Sequence, residues 1–290
     1  MTRPSPYLKW AGGKTQLLGV LEKFYPPKFN SYYEPFLGGG AVFFHLCALG
    51  RIRQAKISDS NIALMNSYVA IRNNLGKLVD RLQALQGQVS SKSYYYDYAR
   101  PRFNGLRLST GLEGDDEKAA LLIYLNKTCY NGLFRVNRKG DFNVPWGKYK
   151  NARIYDEDTL RAVHGCLSKS GISLQCSSYK ESLTSAEEGD FVYLDPPYQP
   201  LSSTSSFTDY TSKGFTLSDQ KGLANTVAEL DARGCFVMIS NSAHAHVRKF
   251  YEKIGSKGHF ETVYASRAIS SVGTGRGKIA EYLITNYKVN

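Results

Sequence analysis

Long apolar runs are missing from this 290-residue chain. No stretch of about 18 apolar residues occurs, so no transmembrane helix is expected. The opening segment, MTRPSPYLKWAGGK, has no apolar centre, so no secretory signal is expected either. Cysteine is scarce and oddly numbered: Cys47, Cys129, Cys166, Cys176 and Cys235 are scattered, with no C-x-x-C pair. That pattern fits a reducing cytoplasm and argues against both a disulfide framework and a zinc site. Histidine is equally thin. His244 and His246 lie two apart, which is not the i, i+4 spacing of a helical zinc pair, so no metal is expected. No G-x-S-x-G element offers a serine nucleophile. Asn126-Lys127-Thr128 is a formal glycosylation triplet, read as chance without a signal.

Acidic residues are outnumbered. Against 25 Asp and Glu stand 37 Lys and Arg, for a net charge of +12. The composition is otherwise that of a folded domain, 42% apolar and 21% charged, which excludes wholesale disorder. Excess positive charge favours a polyanionic partner, either nucleic acid or an anionic membrane surface. The excess is uneven: residues 1–30 carry +4, 31–125 carry +3, 126–153 carry +6, 154–266 carry −4 and 267–290 carry +3. Half of it therefore lies in NKTCYNGLFRVNRKGDFNVPWGKYKNAR, where Tyr130, Phe134, Phe142, Trp146 and Tyr149 alternate with the cations. Basic and aromatic residues together suit a surface that tracks phosphates and stacks on bases; a solvated basic loop is the alternative.

The apolar pattern alternates between strand and helix. Ser31–Glu34 reads as a strand, followed by three glycines and a helix through AVFFHLCAL. A second strand ends at Asp59, and a long helix follows with Met65, Tyr68, Ile71, Leu75, Leu78, Leu82 and Leu85 at three- and four-residue spacing. Alternation resumes with ISLQC, FVYL and CFVMIS, while HFETVYA and EYLITNY can pair as a hairpin. Thr216 and Asp219 can cap a helix that Gly234 ends. The expectation is a doubly wound, mostly parallel α/β sheet. Residues 93–153 break the alternation. The division expected is a catalytic domain from 1–62 and 154–290, with 63–153 as a helical insertion ending in a basic hairpin or loop at 126–153.

Three motifs bear on chemistry. Glu34-Pro35-Phe36-Leu37-Gly38-Gly39-Gly40 places glycines between a strand and a helix, where the backbone can approach a ligand closely. Asp59, 21 residues after Gly38, stands where an acidic side chain binds ribose hydroxyls. The dinucleotide fingerprint fails at Phe43, which favours a non-phosphorylated nucleoside. Gly13-Lys14-Thr15 and Gly277-Lys278 both fail as P-loops, because Leu8 and Val272 replace the first glycine. Asp195-Pro196-Pro197-Tyr198 follows FVYL. Its prolines remove amide donors and fix the chain direction, leaving a carboxylate, carbonyls and an aromatic ring at the sheet edge. That set can accept the two N–H bonds of an exocyclic amine and stack on its base.

Taken together these residues resemble the Dam-type DNA adenine-N6 methyltransferases. The shared elements are KWAGGK at 9–14, EPFLGGG at 34–40, ISDSN at 57–61, YNGLFRVN at 130–137, FNVPWGKYK at 142–150, DPPY at 195–198, ISNS at 239–242 and RAISSVGTGRGK at 267–278. Their order is that of the alpha group. The resemblance implies a class I fold dependent on S-adenosylmethionine (AdoMet), with S-adenosylhomocysteine as product and no metal. It implies cofactor contacts from Trp10, Lys14, Glu34, Phe36, Gly38, Gly40, Asp59 and Asp195. Asp195, Pro196, Pro197 and Tyr198 would bind a flipped adenine. Lys9, Tyr130, Asn131, Leu133, Arg135, Asn137 and Pro145 would read DNA, with GATC as the site. Lys148, Lys150, Arg267, Arg276 and Lys278 would contact the duplex more generally. The expected partner is double-stranded DNA and no membrane, the expected state a cytoplasmic monomer or a dimer on DNA. Cytosine-C5 chemistry is excluded, because no cysteine follows a proline. Cytosine-N4 methylation, or a binding protein without catalysis, stays open as the alternative.

Overall fold

Strands that carry apolar side chains on both faces set the centre of the computed structural model. It describes residues 2–106, 108, 112–198, 215–252, 259–266 and 278–288. Among these, β1 (Ser31–Glu34), β2 (Gln54–Asp59), β3 (Ile172–Cys176), β4 (Phe191–Leu194), β5 (Phe236–Ser242), β6 (His259–Ser266) and β7 (Lys278–Thr285) form one sheet. The strand order is β3-β2-β1-β4-β5-β7-β6. The first five are parallel, and β7 runs antiparallel between β5 and β6, so the expected terminal hairpin is present. The helices are α1 (Leu18–Leu21), α2 (Ala41–Ala48), α3 (Ile62–Gln86), α4 (Arg100–Gly105), α5 (Asp116–Thr128), α6 (Glu157–Leu167), α7 (Tyr179–Ser182), α8 (Leu217–Ala232) and α9 (Ala245–Tyr251).

The period-two alternation of β4 sorts its side chains to two cores. Phe191 and Tyr193 pack on the face shared with α2, α3, α5 and α6; Val192 and Leu194 pack on the face shared with α8 and α9. Both sets are essentially fully buried, each large side chain contributing roughly 1.5–3 kcal/mol. The order reverses between β1 and β4, since β2 lies on one side of β1 and β4 on the other. A crevice therefore opens beyond the carboxyl ends of these two strands, the place where such sheets bind ligands. Glu34 and Asp195 are the residues that end or follow those strands.

Local signals explain the helix boundaries. Asn61 caps α3 by accepting from the Leu64 N–H at 3.1 Å. The long helix that the spacing predicts spans Ile62–Gln86, with a kink inside it: Asn74 leaves helical geometry at φ −132° and donates to the Gly114 carbonyl at 2.9 Å. Before that break α3 is buried from Ala63 through Ile71, wedged between the sheet and α5; beyond it only Leu78, Leu82 and Leu85 are covered. Thr216 and Asp219 form the expected capping box of α8, and Gly234 follows its end at φ +81°.

One expectation is corrected. Cys47 of α2 and Cys166 of α6 are joined as a disulfide with a Cα–Cα distance of 6.4 Å. The pair is 119 residues apart, so no spacing pattern announces it; only the packing of α2 against α6 brings it together. Cys129, Cys176 and Cys235 are thiols. Among the described residues no helix is long and apolar enough to cross a membrane.

After α5 ends at Thr128, residues 129–146 form an irregular antiparallel hairpin. Bridges join Cys129 to Trp146 and Val136 to Phe142. The Tyr130 N–H donates to the Pro145 carbonyl at 2.8 Å, and Asn143 N–H to the Arg135 carbonyl at 3.1 Å.

Candidate active site

Four ionisable or aromatic side chains meet in the crevice. The Lys14 ammonium lies 2.7 Å from Asp195 Oδ2, 3.8 Å from Glu281 Oε2 and 4.9 Å from the centre of the Tyr198 ring. It also donates to the Gly12 carbonyl at 2.7 Å. Tyr198 donates its phenol proton to Glu281 at 2.8 Å, which fixes the ring plane. Burial pushes the Asp195 carboxyl up to about 6, against the opposing pull of Lys14. The loop behind is held too: Gln220, fully buried in α8, donates to the Pro197 carbonyl at 3.4 Å and accepts from Asn241 of β5 at 3.1 Å.

On the β1 side, the glycine turn is shaped by close contacts. The Gly38 N–H donates to Asp59 Oδ2 at 3.0 Å, the Asn61 N–H to Oδ1 at 2.9 Å, and Tyr68 caps the Gly38 carbonyl at 2.8 Å. Gly38 sits at φ +49°, and a Cβ there would lie 2.8 Å from Trp10 Cδ1. Gly40, at φ +70°, would place a Cβ 3.0 Å from Phe44. The glycines thus serve both the turn and the approach of Trp10. Phe36 stacks on Tyr179 with centroids 5.5 Å apart.

Glu34 is buried beneath this turn, accepting from the Tyr32 hydroxyl at 2.7 Å and from the Phe43 N–H. Burial pushes its carboxyl up to about 8, with nearby Asp195 adding to the rise. A folded-state value raised above the ordinary 4.5 gives stability that is fully present below 4.5 and lost as pH climbs through 8. Thermal melts across pH 4.5–8 are expected to show this decline in the wild type and a smaller one in Glu34→Gln. Equal slopes would exclude a raised Glu34.

The basic hairpin reaches the same crevice through the N-terminal segment. Trp10 stacks on Phe134 at 5.8 Å with an interplanar angle of 27°, and the Lys9 ammonium lies 4.6 Å from the Tyr149 ring centre. Arg135 is steered by Asn143, its Nε donating to Oδ1 at 2.7 Å. Asn131, at φ +55°, and Gly132, at φ +65°, turn the chain so that Tyr130 is exposed and Leu133 packs against the core. Asn137 closes the hairpin end, accepting from the Lys139 and Asp141 N–H groups at 2.9 and 3.0 Å. Pro145, Lys148 and Lys150 are exposed, Lys148 at φ +59°. Lys278 opens β7 opposite Ser266, while Arg267 and Arg276 lie outside the described residues.

The family described as D12 class N6 adenine-specific DNA methyltransferase matches residues 10–269. The chain belongs to that family. It is 38% identical to the type II methyltransferase M1.LlaDCHI of Lactococcus lactis subsp. cremoris, over 97% of this chain and 95% of that protein. It is 40% identical to the type II methyltransferase M.MjaIII of Methanocaldococcus jannaschii, over 97% and 99%. The DNA adenine methylase of Escherichia coli K12 is 34% identical over 98% and 95%. The activity is accordingly N6-adenine DNA methylation, on the class I methyltransferase sheet.

In this D12 methyltransferase the structure adds residues that sequence reasoning left out. Glu281 has a readable trace: it is a lone acid in the apolar strand KIAEYLIT, buried to 8% exposure. Asn143 and Phe134 lie within quoted motifs, yet their roles depend on partners across the hairpin. Asn126, in the triplet that reads as chance, is buried at 1% exposure.

Proposed function

We propose that this protein transfers a methyl group from AdoMet to N6 of an adenine flipped out of duplex DNA, within GATC. The observation that carries this reading is the seat of Lys14: one nitrogen is held at once by the Asp195 carboxylate and the Tyr198 ring, beside the crevice that the strand-order reversal opens. A flipped adenine needs the same two groups, the carboxylate for its amine and the ring for its base. The residues also fit the cofactor. Asp59 is positioned by two backbone N–H groups at the end of β2, and the absence of a Cβ at Gly38 lets Trp10 pack directly on the turn.

Bound AdoMet supplies a methyl group already activated on a sulfonium. The protein supplies placement. Extruding the base costs roughly a few kcal/mol, and stacking on Tyr198 returns on the order of 1–3 kcal/mol. Glu281 holds the Tyr198 ring ready for this. Lys14 yields its place, and Asp195 and the Pro196 carbonyl accept the two N6 hydrogens, favouring a pyramidal nitrogen with its lone pair toward the methyl. After transfer the nitrogen sheds a proton, which Asp195 is placed to take. Trp10, Lys14, Glu34, Phe36, Gly38, Gly40 and Asp59 form the cofactor side. The 63–153 segment is the recognition insertion, with Lys9, Tyr130, Asn131, Leu133, Arg135, Asn137 and Pro145 toward the bases.

The proposed carboxylate must be ionised to accept the amine, so kcat/KM is expected to rise with pH through about 6, the value of Asp195 in the free protein. A flat profile between pH 5 and 8 would contradict that role. Lys148 and Lys150 are assigned to phosphate; each alanine variant is expected to reduce the salt slope of duplex binding by about 1. The proposal as a whole is tested by incubating radiolabelled AdoMet with a duplex holding one GATC, then digesting to nucleosides. Label in N6-methyladenine supports it; label in N4-methylcytosine, or none, overturns it.

A further inference from the structure

We infer that Asn126 is a positioning residue that locks the recognition turn to the cofactor crevice and makes methylation depend on the correct site. This rests on the proposed methyltransferase reading. Asn126 lies in the last turn of α5, and both its amide oxygen and its amide nitrogen are engaged. Its Oδ1 accepts from the Lys9 N–H at 2.8 Å; its Nδ2 donates to the Lys9 carbonyl at 2.7 Å and to the Gly132 carbonyl at 3.0 Å. One side chain thus pairs with Lys9 as a neighbouring strand would, and ties it to the 130–132 turn.

The contact is close from the opposite side as well. A Cβ at Gly132 would fall 2.5 Å from Lys9 Cβ, so the turn packs directly against the Lys9 side chain with no room between them. Next along the chain, Trp10 lies between Phe134 and Gly38. Gly38 is in turn bonded to Asp59 and Tyr68. Four residues further, Lys14 holds Asp195. A continuous set of contacts therefore runs from the turn before Arg135 to the acceptor carboxylate, and within it the Asn126 side chain joins the backbone of Lys9 to that of Gly132. Displacement of the turn by a wrong base pair is passed to Lys9 and Trp10 rather than absorbed in the hairpin.

The test compares methylation of the best duplex with versions bearing one changed base pair, in wild type, Asn126→Ala and Asn126→Asp. Asn126→Asp keeps the acceptor for Lys9 but loses both donors and sets a carboxylate against two carbonyls. The cognate to near-cognate ratio of kcat/KM is expected to fall about ten- to a hundred-fold, mainly through kcat on the cognate duplex. Affinity for AdoMet in the absence of DNA should stay near wild type. Gly132→Ala, which presses on Lys9 from the other face, should move the ratio in the same direction and serves if the Asn126 variants do not fold. An equal loss on every duplex, or an unchanged ratio, overturns the inference. Absence of adenine methylation by the wild type would instead overturn the function on which it rests.

Discussion

Replacing Asp195 by alanine is expected to lower kcat by at least 100- to 1000-fold, on the order of the loss seen when one preorganised polar contact to a reacting centre is removed. Binding of duplex DNA should remain close to wild type. The reason lies in the geometry. Asp195 is in direct contact with Lys14 at 2.7 Å, beside the Tyr198 ring, at the end of a strand whose residues are otherwise buried. Without the carboxylate, the proposed amine loses its acceptor and Lys14 its nearest counter-ion, so the ammonium is free to repel the developing positive charge on nitrogen. The cations assigned to phosphate lie in the 126–153 stretch and do not touch Asp195, which is why binding should survive. Single-turnover transfer and a gel-shift titration, run together, separate the two effects. Wild-type turnover in the variant would remove the proposed mechanism.

Arg135→Ala is expected to relax sequence discrimination by roughly 1–3 kcal/mol at one base pair, about 5- to 150-fold, while AdoMet binding is kept. Asn143 fixes one edge of the guanidinium from across the hairpin, which gives the side chain a defined direction; a guanidinium held so can pair with guanine O6 and N7, as the proposed role requires. Asn143→Ala should therefore show a weaker form of the same relaxation. The measurement is the ratio of rates on duplexes that differ at each position of the site. A uniform loss at every position would assign Arg135 to phosphate instead.

The parts of this molecule that announce themselves in sequence are those governed by local rules. β1 and β4 are short strands followed by residues with distinctive backbone behaviour: glycines that reach φ +49° and +70° after one, two prolines of fixed φ after the other. Backbone conformation at such places is dictated by the residue itself, so both edges of the crevice were readable. The capping box at Thr216 and the β6–β7 pair are local in the same sense. The unreadable parts depend on two distant residues meeting. The Cys47–Cys166 disulfide needs α2 against α6, the Asn74 break needs Gly114 across from it, and Asn126 looks like a surface triplet until Lys9 is beside it, 117 residues away. The motif around Lys14 points to a cofactor contact, but its placement against Asp195 and Glu281 depends on the fold.

The central claim is that adenine N6 within GATC is the acceptor. Its most direct test is to express the protein in a host without GATC methylation and map every modified base by sequencing. The expected result is N6-methyladenine in nearly all GATC sites and little elsewhere, with no modification in the Asp195→Ala strain. N4-methylcytosine, or N6-methyladenine confined to another sequence, would contradict it.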